Sequence, residues 1–167
     1  MIITATGAGP APASTAPDNR EAVAVRVFDA PRELVFRAMT DPEHVKRWYG
    51  PRGTELTSCE IDLRVGGRFR FVMRGPHGEA AFSGVYREVD RPARVANTWC
   101  FEPMPEHEAL ETATWDEEDG RTTVRMSIVF PTPEEFAGWA GSGAFGGWSE
   151  TLDRLAEVVA ELQAREA

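Results

Sequence analysis

The middle of the chain alternates apolar and polar positions, which is the pattern of strands that bury one face. The alternation is clearest in RFRFVM, at residues 68–73, and in TVRMSIVF, at residues 123–130. A first strand is indicated by AVAVRVF at residues 22–28. Six further strands are predicted at residues 54–63, 67–74, 79–89, 93–102, 109–117 and 122–130. Short Gly- and Pro-containing separators favour antiparallel pairing between neighbours.

Helical spacing of apolar residues appears near both ends of the chain. Pro31 opens a helix that reaches about Thr40, and Asp41-Pro42 supplies an N-cap and first residue for a second short helix. Near the C-terminus, a long helix is predicted at about residues 142–163. Its apolar residues recur at steps of three and four: Phe145, Trp148, Leu152, Leu155, Val159 and Leu162. We therefore expect an α+β fold in which this helix covers the concave face of an antiparallel sheet.

Length and composition change this picture only at the N-terminus. A chain of 167 residues, 42% of them hydrophobic, suits a single domain. Residues 1–20 are mostly Ala, Pro, Thr, Gly and Ser, and offer little apolar surface to offset the entropy lost on ordering. We expect a disordered tail at residues 1–20 and one domain at residues 21–167.

The net charge limits the binding partners that are expected, and the cysteine content indicates the cellular compartment. The formal net charge of −9 opposes binding to nucleic acid or to anionic membrane surfaces. No apolar run is long enough to span a bilayer. Cys59 and Cys100 are too few for a disulfide framework, so a reducing, cytoplasmic setting is expected.

No assembled catalytic or metal-binding motif is present in the sequence. Glu60 and Asp62 share a strand face and are interpreted as solvated rather than as an acid and base pair. His44, His77 and His107 are expected to be isolated at the surface. The two cysteines are interpreted as small buried groups rather than nucleophiles. We expect no metal and no cofactor.

Four stretches of the chain carry a family resemblance: DAPRELVFRAMTDPEHVKRWYGP, VGGRFRF, FSGVYREVDRPARVANTW and GWSETLDRLAEVV. Together they resemble the START-like, birch-pollen-allergen-like superfamily, and in particular its branch named after the activator of the heat-shock chaperone ATPase. The resemblance implies a helix-grip fold with a curved sheet of about seven strands and a cavity under the long helix. The eukaryotic chaperone activators carry a separate N-terminal domain, and nothing before Glu21 matches one.

In such a cavity, ligand contacts are expected from apolar side chains and from two polar anchors, Tyr86 and Asn97, which lie in phase with Phe82 and Trp99. The expected ligand-binding residues are Trp48, Phe71, Phe82, Tyr86, Asn97, Trp99, Met126, Trp139, Phe145, Trp148 and Leu152. For Trp48 there are two interpretations, a platform at the cavity mouth and a wedge in the core. Glycines at 143, 146 and 147 have three interpretations: the helix passes close to the sheet there, it leaves an opening for a ligand beside a mobile lid at residues 131–147, or it begins only after Gly147.

Three functions stay open at this point. The first is noncatalytic binding of a hydrophobic or amphipathic small molecule. The second is stimulation of a heat-shock chaperone ATPase, with the chaperone as partner. The third is a polyketide cyclase- or aromatase-like enzyme, in which the Tyr86 hydroxyl is the first candidate group. A homodimer through a sheet edge or the long helix is also compatible with the pattern.

Overall fold

A computed structural model of the chain describes the backbone of residues 2–5 and, with side chains, residues 19–167. These residues form one sheet and four helices. The strands are β1 (Ile2–Ala5), β2 (Glu21–Phe28), β3 (Glu55–Ile61), β4 (Arg68–Gly75), β5 (Gly78–Asp90), β6 (Arg94–Phe101), β7 (Ala109–Glu118) and β8 (Arg121–Val129). The helices are α1 (Arg32–Thr40), α2 (Pro42–Trp48), α3 (Pro133–Gly141) and α4 (Ala144–Glu166).

The sheet confirms the predicted α+β, helix-grip architecture. Its strand order is β1-β2-β8-β7-β6-β5-β4-β3, and the seven strands from β2 to β3 along this order pair antiparallel. Each predicted strand is present within a few residues of its expected bounds, because alternation and turn residues are both local signals. No helix in the described part of the chain is long and apolar enough to cross a membrane.

Strand β1 differs from the expectation for the N-terminal tail. Ile2–Ala5 pairs parallel with residues 23–26 of β2. Its run of β-branched residues suits a strand, although the surrounding composition is poor in large apolar side chains. Residue 1 and residues 6–18, the rest of the predicted tail apart from 19 and 20, lie outside the described residues.

Two of the helix starts follow from side-chain caps. The Asp41 carboxylate accepts a hydrogen bond from the Glu43 backbone N–H at 2.9 Å, with Pro42 as first residue of α2, as predicted. The Thr132 hydroxyl accepts from the Glu135 N–H at 3.2 Å at the start of α3. Helix α4 instead begins after Gly143, whose φ of 84° lies in the left-handed region that favours glycine. The interpretation in which this helix starts only after Gly147 is therefore wrong.

Helix α4 packs most tightly over its C-terminal half. Leu155 is fully buried there, Val159 is 3% exposed and Leu162 is 6% exposed. They join one cluster with residues of α1, including Leu34 and Val35. Burying an aliphatic side chain of this size contributes roughly 1.5–3 kcal/mol, so this half of the helix fixes the sheet and the short helices together.

Arg154 ties α4 to the loop between α2 and β3. One guanidinium nitrogen, Nη1, donates to the carbonyl oxygens of Gly50 at 2.8 Å and Pro51 at 3.1 Å. The other, Nη2, donates to the Arg47 carbonyl at 3.1 Å. A single side chain therefore binds the carbonyl of Arg47 in the last turn of α2 and those of Gly50 and Pro51 just after it.

We expect Arg154→Ala to lower the free energy of unfolding by about 2 kcal/mol, because charge-assisted hydrogen bonds to the carbonyls of Arg47, Gly50 and Pro51 are lost. Urea denaturation measures this loss. Arg165→Ala is the control, since Arg165 is exposed and pairs with Glu161 one turn away. Its expected effect is below about 0.5 kcal/mol. Equal losses of unfolding free energy in the two variants would contradict this structural role of Arg154.

Candidate functional site

A cavity of about 1070 Å³ lies between the concave face of the sheet and helices α2, α3 and α4. Small-molecule pockets in proteins commonly measure about 300–1,000 Å³, so this space has room for a ligand of several rings. Its apolar wall comes from strands β4 to β8 and from the helices that cover them. The aromatic lining residues are Trp48, Tyr49, Phe69, Phe71, Phe82, Tyr86, Trp99, Phe101, Trp115, Phe130, Trp139 and Trp148.

Most of the residues expected to bind a ligand line this cavity. They are Trp48, Phe71, Phe82, Tyr86, Asn97, Trp99, Met126, Trp139, Trp148 and Leu152. The one exception is Phe145, which does not reach the lining. Its ring packs edge-on against Trp139 with centroids 4.8 Å apart, so it supports the wall from behind.

Trp48 combines a core position with a lining position. Its side chain is buried, at 8% exposure, and its indole N–H donates to the Ala38 carbonyl at 2.8 Å. This favours the wedge interpretation over a platform at the mouth. The neighbouring residue Tyr49, which the sequence analysis did not single out, extends into the cavity and packs edge-on against Phe71 at 4.7 Å.

The aromatic walls hold one another in place through ring contacts. On the sheet, Phe82 and Trp99 stack with centroids 5.5 Å apart and an angle of 20°. On the covering helices, Trp139 and Trp148 meet edge-on at 6.0 Å. Such pairs contribute about 0.5–1.5 kcal/mol each beyond their buried area. The cavity is therefore bounded by rings whose positions are set before any ligand arrives.

Three polar residues form a row across the floor of the cavity. Tyr86 on β5 pairs with Asn97 on β6, and Asn97 pairs with Glu111 on β7. The Asn97 amide donates to the Glu111 carboxylate at 3.0 Å and to the Thr98 carbonyl at 2.9 Å. The predicted inward orientation of Tyr86 and Asn97 is confirmed. We call Tyr86, Asn97 and Glu111 the polar row.

Glu111 is the functional candidate that the sequence analysis missed. Burial raises the pKa of its carboxyl group to about 7, although the hydrogen bond from Asn97 acts in the opposite direction. Its remaining accessible surface faces the cavity. The segment ALETATW places Glu111 in phase with Ala109, Ala113 and Trp115, so strict alternation could have found it.

Tyr49 and Tyr86 have similar electrostatic surroundings in the cavity. Burial raises the pKa of Tyr49 and of Tyr86 above the usual range, and the charge of Glu111 adds to the rise in both. A hydrogen bond with the Trp99 side chain acts the other way on Tyr49. Both phenols therefore stay protonated at neutral pH and can offer a hydroxyl to a ligand.

The cavity opens beside the β6–β7 loop and the α3–α4 junction. The lining residues that are themselves exposed all lie there: Met104, Glu134, Gly138, Ser142 and Gly143. A Cβ at Gly146 would meet nothing within 4 Å, and one at Gly147 would come no closer than 3.9 Å to Pro51. Close packing against the sheet therefore does not explain the glycines at 146 and 147.

His107 departs from the expectation of an isolated surface histidine. It lies on the β6–β7 loop at the opening, and its Nδ1 meets a carboxylate oxygen of Glu135 on α3. The hydrogen bond with Glu135 is the main cause of a raised pKa at His107. The other Glu135 oxygen is buried without a hydrogen-bond partner among the described residues. This pair joins the two segments that border the opening.

The remaining candidates lie away from the cavity chemistry. Glu60 and Asp62 are exposed, and Asp62 pairs with Arg64 at 2.8 Å, which agrees with a solvated face. Burial raises the pKa of the Cys59 thiol to about 11, so it stays protonated and poorly nucleophilic. Cys100 lies 3.6 Å from the Ser83 hydroxyl.

Solved structures share this architecture. A protein from Nitrosomonas europaea is 24% identical, with a TM-score of 0.80 over 89% of this chain and 99% of its own. A protein from Rhodobacter sphaeroides is 24% identical, with a TM-score of 0.81 over 90% and 99%. CalU16 from Micromonospora echinospora is 25% identical, with a TM-score of 0.61 over 92% and 85%. No match to a curated protein was found.

The family comparison is more specific than the shared fold. The family described as Activator of Hsp90 ATPase homolog 1-like protein matches residues 29–160. This match spans well over half of the chain and runs from the end of β2 almost to the end of α4, so it includes the whole cavity. The chain belongs to the Activator of Hsp90 ATPase homolog 1-like family.

Proposed function

We propose that this protein binds an amphipathic small molecule in its cavity without converting it chemically. One observation carries the proposal: an aromatic-walled space of about 1070 Å³ contains a short row of polar groups on its floor. Apolar walls supply affinity, while a few placed polar groups fix orientation. The expected ligand therefore has a bulky apolar body and a small polar group.

The two parts of the ligand have different places in this proposal. The polar group meets the polar row, where the Tyr86 hydroxyl and the Glu111 carboxyl face the cavity. The apolar body lies between the Phe82–Trp99 stack on the sheet and Trp148 on α4. The other lining residues among those expected from the sequence complete the walls, and Phe145 acts through Trp139.

A ligand reaches this space through the α3–α4 segment in our proposal. Residues 131–147 include glycines without tight neighbours at 138, 141, 143 and 146. The His107–Glu135 contact is the link between this segment and the β6–β7 loop. Such a segment opens more readily than paired strands do, because fewer buried contacts hold it.

Stimulation of a heat-shock chaperone ATPase is the second candidate function, and the family match favours it. Under this candidate, adding the protein to a purified Hsp90-type chaperone raises its rate of ATP hydrolysis. A coupled ATPase assay measures that rate, with heat-unfolded protein as the control. An unchanged rate across a wide excess of the protein would contradict this function and leave small-molecule binding untouched.

Three finer expectations stay predictions. The cyclase- or aromatase-like activity rests on the resemblance, although Tyr86 and Glu111 are the groups that would serve it. The cytoplasmic location is supported by two free cysteines, Cys59 and Cys100. The homodimer rests on the outer position of β1 and β3 in the sheet, or on the long helix.

To test binding, we expect Ala113→Phe to lower ligand affinity at least about tenfold, because the added ring occupies the space that a ligand needs. Ala113 lines the cavity and pairs with Met126 on β8. Native mass spectrometry and quenching of tryptophan fluorescence with a panel of polycyclic amphiphiles measure the affinity.

The control is Thr114→Phe on the same strand. Thr114 pairs with Arg125, which is exposed on the opposite face of the sheet. This variant adds the same ring outside the cavity and keeps the affinity within about twofold of the original. Equal loss in the two variants, or no binding of any panel member by the unmodified protein, would refute the proposed function.

For the access route, we expect backbone amides of residues 133–147 to exchange with deuterium faster than those of β6, β7 and β8. The reason is that α3 contains only one buried residue, Phe136, whereas the strands are paired on both sides. Hydrogen exchange followed by mass spectrometry measures the difference. Bound ligand slows exchange in this segment. Protection equal to that of the central strands would contradict the route.

A further inference from the structure

The ionisable groups that line the cavity are predominantly acidic. They are Glu111 on the floor and Glu134, Glu135 and His107 at the opening, together with the two tyrosines. Within the described part of the chain, neither lysine nor arginine lines the space. A ligand that carries a carboxylate or phosphate would therefore find no fixed cation beside it, and Glu111 would repel it.

We infer that the ligand carries a protonated amine and that the Glu111 carboxylate binds this ammonium group at the floor of the cavity. The inference rests on the proposed function, since it names the polar part of the same ligand. One Glu111 oxygen, Oε2, is engaged by Asn97. The other, Oε1, makes no hydrogen bond among the described residues and is available to an ammonium donor.

The surroundings of Glu111 suit a cation better than a neutral group. A buried carboxylate without a positive partner is unfavourable, and an ammonium ion removes that penalty by direct pairing. Aromatic faces also attract cations, and Tyr49 and Tyr86 both lie close enough to Glu111 to feel its charge. Asn97 holds the carboxylate in place, so little ordering is needed on binding.

Binding should depend on pH in a defined direction. Without a ligand the pKa of Glu111 is about 7, and pairing with ammonium lowers it, so a proton leaves the carboxyl group on binding below that value. Affinity for the amine then falls up to about tenfold for each pH unit below 7. Above 7 it stays level until the amine itself loses its proton.

Other titratable groups face the same space and have to be separated from Glu111. From β5 and the end of α2 these are the phenols of Tyr86 and Tyr49, which stay protonated over this range. From the opening these are His107, Glu134 and Glu135. The lining residues that α1, β8 and α4 contribute are not ionisable. His107 is therefore replaced by glutamine in a parallel pH series.

The test uses three probes with one apolar body: pyrenebutylamine, pyrenebutanol and pyrenebutyrate. Pyrene fluorescence and calorimetry give their affinities at about pH 6 and about pH 8. At the higher pH we expect the amine to bind at least about tenfold more tightly than the alcohol, and the carboxylate to bind more weakly than the alcohol.

Glu111→Gln keeps the shape of the side chain and removes its charge. We expect this variant to lose the preference for the amine and its pH dependence, while binding of pyrenebutanol reports whether the cavity is intact. The matched control is Glu118→Gln, an exposed position on the same strand, which keeps the preference. His107→Gln keeps the pH dependence as well.

The outcomes separate the inference from the proposed function. If none of the three probes binds, the cavity does not take amphipathic ligands of this kind and both fail. If the alcohol binds but the amine is not preferred, only the amine inference fails. A preference that survives Glu111→Gln would also overturn it, because the anchor would then lie elsewhere. A preference lost only in Glu111→Gln supports it.

Discussion

The structure depends on how one helix meets one curved sheet. Helix α4 is held at its C-terminal half by aliphatic residues that are almost fully buried, such as Leu155 and Val159. Its first turns carry Gly146, Gly147 and Trp148, which are only partly buried or exposed. The helix therefore packs into the core towards its C-terminal end and borders the cavity near its N-terminal end, where Trp148 lines the space. The cavity is the space that this unequal packing leaves.

The polar row follows from strand pairing rather than from any sequence motif. Tyr86, Asn97 and Glu111 come from three strands and meet because the antiparallel register places them side by side. The register shifts only after Tyr86, between residues 86 and 88, so the irregularity does not turn Tyr86 away from the cavity. A shift one or two residues earlier would have placed that hydroxyl on the outer face. The inward orientation of Tyr86 thus depends on the position of this bulge, whereas Asn97 and Glu111 meet through the regular pairing of β6 with β7.

Sequence periodicity predicted the strands, the inner faces and most of the cavity wall, because all of these depend on spacing within a short segment. It also placed Tyr86 and Asn97 correctly. Glu111 has the same periodicity, but a charged residue is rarely expected on an apolar face, and residue type outweighed position. The pairing of His107 with Glu135 joins residues 28 positions apart and needs the folded chain. Local spacing therefore predicts the strands and the cavity wall, whereas the contact between His107 and Glu135 is visible only in the folded chain.

The carboxyl group of Glu111 affects the stability of the protein in the absence of a ligand. Its folded pKa lies above that of an exposed glutamate, so the folded state binds the extra proton between about 4.5 and 7. Stability is therefore full below the unfolded pKa and declines as pH rises through the folded one, by roughly 3 kcal/mol for a shift of this size. A hydrophobic residue would avoid this loss, and β7 offers no structural contact that requires an acid there beyond the bond to Asn97. Residues that lower stability in an otherwise well-packed wall commonly serve a ligand. A cationic ligand in the cavity would restore the lost stability. The protein would therefore gain more free energy from binding a cation than from binding a neutral ligand.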